Sequence, residues 1–310
     1  MVAPQAQLGY SVAIDGNSLI VGNILAVGAP FASVNGFNNA GAVYFYTRSD
    51  SDSPWILRAT ITASDASENA RFGFTVALSN GTLAVGAPGD DGSKGAVYLF
   101  TRSGGMSGGM HGGIIDRMHG GINERFDMLR GGAALGGMRD LLRGGMSEVV
   151  KITASDGAAD DAFGYSVSFD TNSLGVGNVL AVGAPHASVN GINTAGAVYF
   201  YTRSDSASSL ILRVKITTSD ASENALFGSS VFLNNGTLAA GAPGDDGSKG
   251  AVYIFSRRGG EVAKLTAGNG AAGVLLGSSV SLDGATLAVG APRDGEKGDN
   301  SGSVSVFTYN

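Results

Sequence analysis

Residues 72–102 read FGFTVALSNGTLAVGAPGDDGSKGAVYLFTR, and the architecture can be worked out from them. Three short apolar segments lie in it, around Val76–Leu78, Leu83–Val85 and Val97–Phe100. Asn80-Gly81 separates the first two, and Asn-Gly accepts the positive φ angles of a type I′ hairpin turn. Gly86 lets another backbone approach closely, and Pro88 ends the hydrogen bonding of the second segment. The stretch therefore predicts three antiparallel strands joined by one tight turn and one polar loop.

The same text recurs along the chain. Gly-Ala-Pro stands at 28–30, 86–88, 183–185, 241–243 and 290–292, each time after an apolar segment (ILAV, TLAV, VLAV, TLAA, TLAV). Upstream lie LGYSV at 8, FGFTV at 72, FGYSV at 163, FGSSV at 227 and LGSSV at 276. Downstream come GAVYFYTR, GAVYLFTR, GAVYFYTR, GAVYIFSR and GSVSVFTY. A fourth segment closes most units: LRATITASD, EVVKITASD, LRVKITTSD and EVAKLTAGN, rich in Val, Ile and Thr as a half-exposed strand should be. Asn235-Gly236 and Asp283-Gly284 predict hairpin turns like that at Asn80-Gly81, while the first and third units have longer hairpins, DGNSLIVGN and DTNSLGVGN. Residues 8–105 match 163–260 at a constant offset of 155 positions, so a two-unit block has been duplicated.

A four-stranded antiparallel unit cannot bury both of its faces alone, and radial stacking of such units is the propeller solution. The expectation is an all-β, five-bladed β-propeller of four-stranded antiparallel blades at about 8–71, 72–162, 163–226, 227–275 and 276–310. An open β-solenoid is the alternative, but these units are too long for its short rungs. Nothing like KITASD follows the fifth GSVSVFTY, so the last blade is incomplete. Residues 1–7 could complete it, or a missing tail, or a strand from a neighbouring subunit, since an open edge accepts a strand.

Composition agrees with this and narrows function. Of 310 residues 50 are Gly, as many tight turns require. The net charge of −6, without a basic stripe, argues against nucleic acid. No apolar run reaches the about 18–20 residues of a membrane-spanning helix. Residues 1–7 lack the pattern of a secretion signal. The absence of Cys excludes disulfides and thiolate metal sites.

Phe-Gly, Gly-Ala-Pro and Gly-Ala-Val-Tyr in this order resemble the FG-GAP repeat of integrin α-chain propellers. KITASD and DGAADDAFG are similar to FG-GAP proteins of bacterial and protist cell surfaces. The resemblance covers nearly the whole chain outside 106–147. It implies an extracellular or cell-surface protein engaged in adhesion, ligand binding or surface architecture; fold analogy alone does not establish function. Two departures matter. Integrin-type repeats carry a calcium loop in the first hairpin, and the hairpins here (AIDGNSLIVGN, ALSNGTL, SFDTNSLGVGN, FLNNGTL, SLDGATL) do not supply alternating carboxylates. Such propellers also commonly have seven blades, against five units here.

Residues 106–147 interrupt the second unit. They hold every Met except Met1, with recurrent Gly-Gly pairs. Two amphipathic pieces, Ile122–Arg130 and Met138–Arg143, predict helices of about two turns, marginal without a docking surface. Met118, Ile122, Phe126, Leu129, Met138, Leu141 and Leu142 form their apolar sides, and Met-rich segments make adaptable partner-binding surfaces. The plain reading is a mobile surface excursion.

Asp90-Asp91 and Asp245-Asp246 occupy equivalent loops and are the candidate weak Ca2+ ligands; the alternative is a turn in which Asp caps its own backbone. Asn80 and Asn235 fit the N-glycosylation pattern, relevant in a eukaryotic source, though the hairpin turn explains both without glycans. Five-bladed propellers can be glycoside hydrolases with paired acids in the channel. Here the acids recur in equivalent loops, which suits architecture better than a single active site. The expectation is thus a non-enzymatic extracellular structural protein that self-associates, a homopolymer or filament subunit. An adhesin or lectin-like module binding a glycan or protein is the second reading and a hydrolase the third.

Overall fold

The computed structural model describes residues 5–16, 23–102, 146–173, 177–204, 208–268 and 270–308. These form nineteen strands in five antiparallel sheets, each an unbroken meander. Blade 1 contains β1 (Ser11–Asp15), β2 (Asn23–Ala29), β3 (Ala42–Arg48) and β4 (Ile56–Ile61). Blade 2 contains β5 (Thr75–Ser79), β6 (Thr82–Ala87), β7 (Ala96–Arg102) and β8 (Met146–Ile152). Blade 3 contains β9 (Ser166–Ser173), β10 (Gly177–Ala184), β11 (Ala197–Arg203) and β12 (Ile211–Ile216). Blade 4 contains β13 (Ser230–Asn234), β14 (Thr237–Ala242), β15 (Ala251–Phe255) and β16 (Glu261–Leu265). Blade 5 has three strands, β17 (Ser279–Asp283), β18 (Thr286–Ala291) and β19 (Ser303–Thr308).

Each second strand stops at the Ala of Gly-Ala-Pro, because the following Pro cannot donate to the ladder. In blade 2 Ser79 pairs with Thr82, which leaves Asn80 (φ 45°) and Gly81 (φ 71°) as the turn, both left-handed as type I′ demands. Blade 4 repeats this at Asn235 and Gly236. Blade 5 departs from expectation: Asp283 pairs with Thr286, so the turn residues are Gly284 and Ala285 rather than Asp283-Gly284, and of the two only Gly284 has positive φ. Gly at the first central position suits a type II′ turn. The insertion is also shorter at its end than the sequence suggested. Met146 and Ser147 already belong to β8, paired with Arg102 and Thr101, and Met146 packs on the core.

The cores lie between blades. One face of blade n (Ile24, Ala26, Val43 and Phe45 in blade 1) packs against the opposite face of blade n+1 (Phe72, Val76, Leu83, Val85, Tyr98 and Phe100 in blade 2). Equivalent clusters join blades 2 to 3, 3 to 4 and 4 to 5. Three motifs meet at each joint. The Phe of Phe-Gly, or the Leu that replaces it in blade 5, is fully buried and bonded across the joint: Phe72 N–H donates to Ala40 O, Phe163 N–H to Lys94 O, Phe227 N–H to Ala195 O, and Leu276 N–H to Lys249 O, at 2.9–3.0 Å. The Gly of Gly-Ala-Pro lies against the Phe-Gly carbonyl of the next blade. A Cβ on Gly28, Gly86, Gly183 or Gly241 would overlap the carbonyl oxygen of Gly73, Gly164, Gly228 or Gly277. Burying one such Phe contributes about 2–3 kcal/mol.

The ends of the stack differ from the joints within it. No described residue covers the free face of blade 1 or that of blade 5, and the two faces do not meet: Val12 and Val304 are 64% and 68% exposed. Residues 5–7 do not complete blade 5 either. Ala6 packs with Ala29, Ala32 and Ala42 of blade 1. Residues 1–4 lie outside the described residues.

Candidate functional site

The four carboxylates expected as weak Ca2+ ligands do not converge. Asp90 points inward and is 3% exposed; Asp91, held at φ 47°, points outward to Lys94 at 3.1 Å. Asp245 and Asp246 repeat this split, with Asp246 on Lys249 at 2.9 Å. Among the described residues no group of His, Cys, Asp and Glu assembles that could hold a metal. Asp91 and Asp246 lie on the surface against Lys94 and Lys249, whereas Asp90 and Asp245 are buried in a joint, and Asp245 Oδ1 also accepts from the Asp246 N–H at 2.9 Å.

That joint is a cluster of five side chains from two blades. Lys151 on β8 places Nζ 2.6 Å from Asp65 Oδ2 and 2.5 Å from Asp90 Oδ2. The Tyr98 hydroxyl donates to Asp65 at 2.7 Å and lies 3.4 Å from Asp90. Ser67 Oγ donates to Asp90 at 3.3 Å. Asp65 belongs to the connector from blade 1, while Tyr98, Lys151 and Asp90 belong to blade 2, so the cluster latches consecutive blades. Blades 3 and 4 are latched alike: Lys264 contacts Asp220 at 2.5 Å and Asp245 at 2.6 Å, and the Tyr253 hydroxyl donates to Asp220 at 2.7 Å and lies 2.9 Å from Asp245. Between blades 2 and 3 the latch has one carboxylate, Asp156, bound by Tyr199 at 2.8 Å and Lys215 at 2.6 Å.

The electrostatics follow from this packing. Burial opposes the charge on Asp65, Asp156 and Asp220, but hydrogen bonds from the Lys and Tyr of each latch outweigh it and hold all three below the usual carboxylate range. Burial opposes the charge on Lys151 and Lys264 too, and their paired carboxylates overcome it and raise both. Tyr98, Tyr199 and Tyr253 are pushed up by burial and by the adjacent carboxylates. These groups are locked in one protonation state across the neutral range, which suits clamps rather than acid–base catalysts.

Two features of one rim were missed in the sequence. Tyr10, Phe74 and Tyr165 follow the Phe-Gly or Leu-Gly of blades 1 to 3, and their rings form a ladder with centroids 4.8 and 4.9 Å apart. Phe31 and His186, each just after a Gly-Ala-Pro, flank it. Beside His186 opens a cleft of about 420 Å³ lined by Asp156, Asp160, Asp161, Ser188 and Lys215. The sequence signal was the aromatic at one repeat position in blades 1 to 3, replaced by Ser229 and Ser278 in blades 4 and 5. Asn80 and Asn235 sit exposed at hairpin tips. The seven insertion residues expected to bind a partner, Met118, Ile122, Phe126, Leu129, Met138, Leu141 and Leu142, lie outside the described residues, as do both expected helices.

FG-GAP repeats are recognised at residues 55–100, 146–201, 212–255 and 260–307. The chain belongs to the FG-GAP repeat family. The first three strands of blade 1, with Leu8-Gly9 in place of Phe-Gly, lie outside those matches. Among solved structures the chain is similar to Sqt1 of Saccharomyces cerevisiae, with 11% identity and a TM-score of 0.48 over 98% of this chain and 64% of that one. No match was found among curated proteins. Among the described residues no helix is long and apolar enough to cross a membrane.

Proposed function

We propose that the chain is a non-catalytic module of an extracellular or cell-surface protein, and that its work is architectural: it self-associates into a larger assembly, a homopolymer or filament. The observation that carries this reading is the pair of uncovered apolar faces at the two ends of the blade stack. Exposed patches of this kind mark interaction surfaces. The spending of Asp65, Asp90, Asp156, Asp220 and Asp245 on blade joints supports the non-catalytic part. Membership of the FG-GAP family supports the extracellular part. Sedimentation velocity across a concentration series, with negative-stain imaging, tests the reading. Mass rising with concentration is the expected result, and a strict monomer at high concentration rejects it.

The aromatic ladder favours a second reading, an adhesin or lectin-like module. Aromatic faces beside a polar cleft suit recognition of a ligand with an apolar surface and hydroxyl groups, as a glycan has. A glycan array probed with and without Ca2+ tests it; hits lost on Tyr165→Ala support it, and an empty array in both conditions removes it.

A further inference from the structure

Every blade has a leading face, which receives the blade before it, and a trailing face, which receives the blade after it. The leading-face valine of the first strand is Val76, Val167 and Val231 in blades 2 to 4, 7–8% exposed; in blade 1 it is Val12, 64% exposed. Two residues on, Phe169, Leu233 and Leu282 are 2–6% exposed in blades 3 to 5, and Ile14 is 60% exposed. Leu8 is exposed where Phe72, Phe163, Phe227 and Leu276 are fully buried. On the trailing side, Val43, Val97, Val198 and Val252 are fully buried, and their blade 5 counterpart Val304 is 68% exposed. Phe45, Leu99, Phe200 and Ile254 are 1% exposed, against 67% for Val306.

The polar half of the joint is open in the same way. Ser11, Ser166 and Ser230 donate Oγ to the carbonyls of Gly73, Gly228 and Gly277 in the next blade, at 2.7–2.8 Å. Ser279 is the equivalent in blade 5, exposed, without a following blade among the described residues. A Cβ on Gly290 would meet only Ser279 of its own blade, where the other four such glycines lie against the next blade.

Resting on the assembly reading above, we propose that blade 5 of one molecule docks on blade 1 of a second copy, continuing the blade-to-blade joint across the molecular boundary. A second copy is the occupant because this one chain carries both halves of a joint that it already makes four times within itself. The register follows from those four joints. Val304 and Val306 cover Leu8, Val12 and Ile14 of the neighbour, Ser279 Oγ donates to Gly9 O, and Leu8 N–H donates to Ser301 O. The contact joins unlike surfaces, so it runs head to tail and generates a ring or a helical array rather than a two-fold dimer.

The full chain is compared with Val306→Asp, which disables the trailing face, and Val12→Asp, which disables the leading face. Both positions are exposed, so each variant should retain the wild-type circular dichroism spectrum. Sedimentation velocity is run on wild type, each variant and their equimolar mixture. Wild type should form species beyond dimers, each variant alone should be monomeric, and the mixture should form 1:1 dimers and stop, since one variant keeps a live leading face and the other a live trailing face. If the variants associate as wild type does, the blade 5–blade 1 joint is wrong while the assembly reading survives. If wild type is itself monomeric at high concentration, both fall.

Discussion

Replacing Lys151 by Met should destabilise the protein far more than replacing Lys215 by Met, although the two lysines hold the same position in blades 2 and 3. Lys151 bridges the half-exposed Asp65 and the buried Asp90, whose side chain is 5% exposed. Without Nζ, Asp90 keeps, among the described residues, the hydroxyls of Ser67 at 3.3 Å and Tyr98 at 3.4 Å. Stripping the partner from a buried ion pair costs about 3–5 kcal/mol. Lys151 is itself 28% exposed, so water reaches the vacated position and the expected loss falls to about 2–3 kcal/mol. Lys215 pairs with Asp156 alone, and that carboxylate is 50% exposed, so its loss should cost about 0–1 kcal/mol. Urea unfolding followed by far-UV circular dichroism measures both. Adding Asp90→Asn to Lys151→Met should recover more than half of the loss, because a neutral amide tolerates burial better than an unpaired charge. Equal costs for the two lysine variants, or no recovery in the double variant, would refute the latch as the source of the difference.

Acid and alkali should each weaken the joints, from opposite signs. Asp65, Asp156 and Asp220 titrate low in the folded chain, so their contribution is complete above the unfolded value of about 3.9 and is lost as pH falls through the folded values. Lys151 and Lys264 titrate high, so theirs is complete below about 10.4 and is lost as pH rises through the folded values. Calorimetry should therefore find a plateau between roughly pH 5 and 10, and an unchanged midpoint at pH 3 would contradict the assignment. Ultraviolet titration should leave part of the tyrosine absorbance unionised at pH 11, since burial pushes Tyr201 up to about 12; full ionisation there in the folded protein would count against the buried tyrosines. Gly183→Ala should cost about 3 kcal/mol or more, because its Cβ would meet the Gly228 carbonyl rather than a movable side chain; a loss below about 1 kcal/mol in urea unfolding would mean that the blades part easily. Made in a eukaryotic secretory host, the chain should carry glycans at Asn80 and Asn235, and a mobility shift on deglycosylation should vanish in Asn80→Gln with Asn235→Gln; no shift in the parent chain would reject the sites.

The repeat made most of the fold readable because each motif records one backbone requirement. Asn80-Gly81 fixed the hairpin before any contact was known, and Gly-Ala-Pro marked both the end of a strand and the close approach of the next blade. The turn at Gly284-Ala285 was misplaced by one residue because register is set by strand pairing as well as turn composition. Asp90 misled for another reason. Side by side in sequence, Asp90 and Asp91 looked like two ligands for one ion, yet the left-handed backbone at Asp91 sends the two carboxylates apart. The latch itself was legible through substitution among the repeats. Blade 5 has Ser305 where the other blades have Tyr, and the connector before it has Asn269 where the others have Asp, so the two partners disappear together. Closure was the part no motif could settle, since a local pattern specifies a joint and not how many joints complete a turn.

The loss of both partners weakens the joint between blades 4 and 5. Blades 1 to 4 are held by three latches, whereas blade 5 joins blade 4 without Tyr, Lys or a fourth strand. Its third strand alternates between half-buried and exposed residues, while β11 in the middle of the stack is buried throughout. In a linear array each repeat gains stability from its neighbours, so a terminal repeat with one weak interface opens first. Hydrogen exchange should show the amides of β17 to β19 opening at lower free energy than those of β9 to β11. At concentrations where the chain assembles, the same amides should slow markedly, because docking on a neighbour supplies the missing interface. Val306→Asp should abolish that slowing and leave exchange in β9 to β11 unchanged. Uniform protection from blade 1 to blade 5 in dilute solution would show that the latches do not set the order of stability. Slowing that persists in Val306→Asp would show that blade 5 is ordered by some contact other than the trailing face.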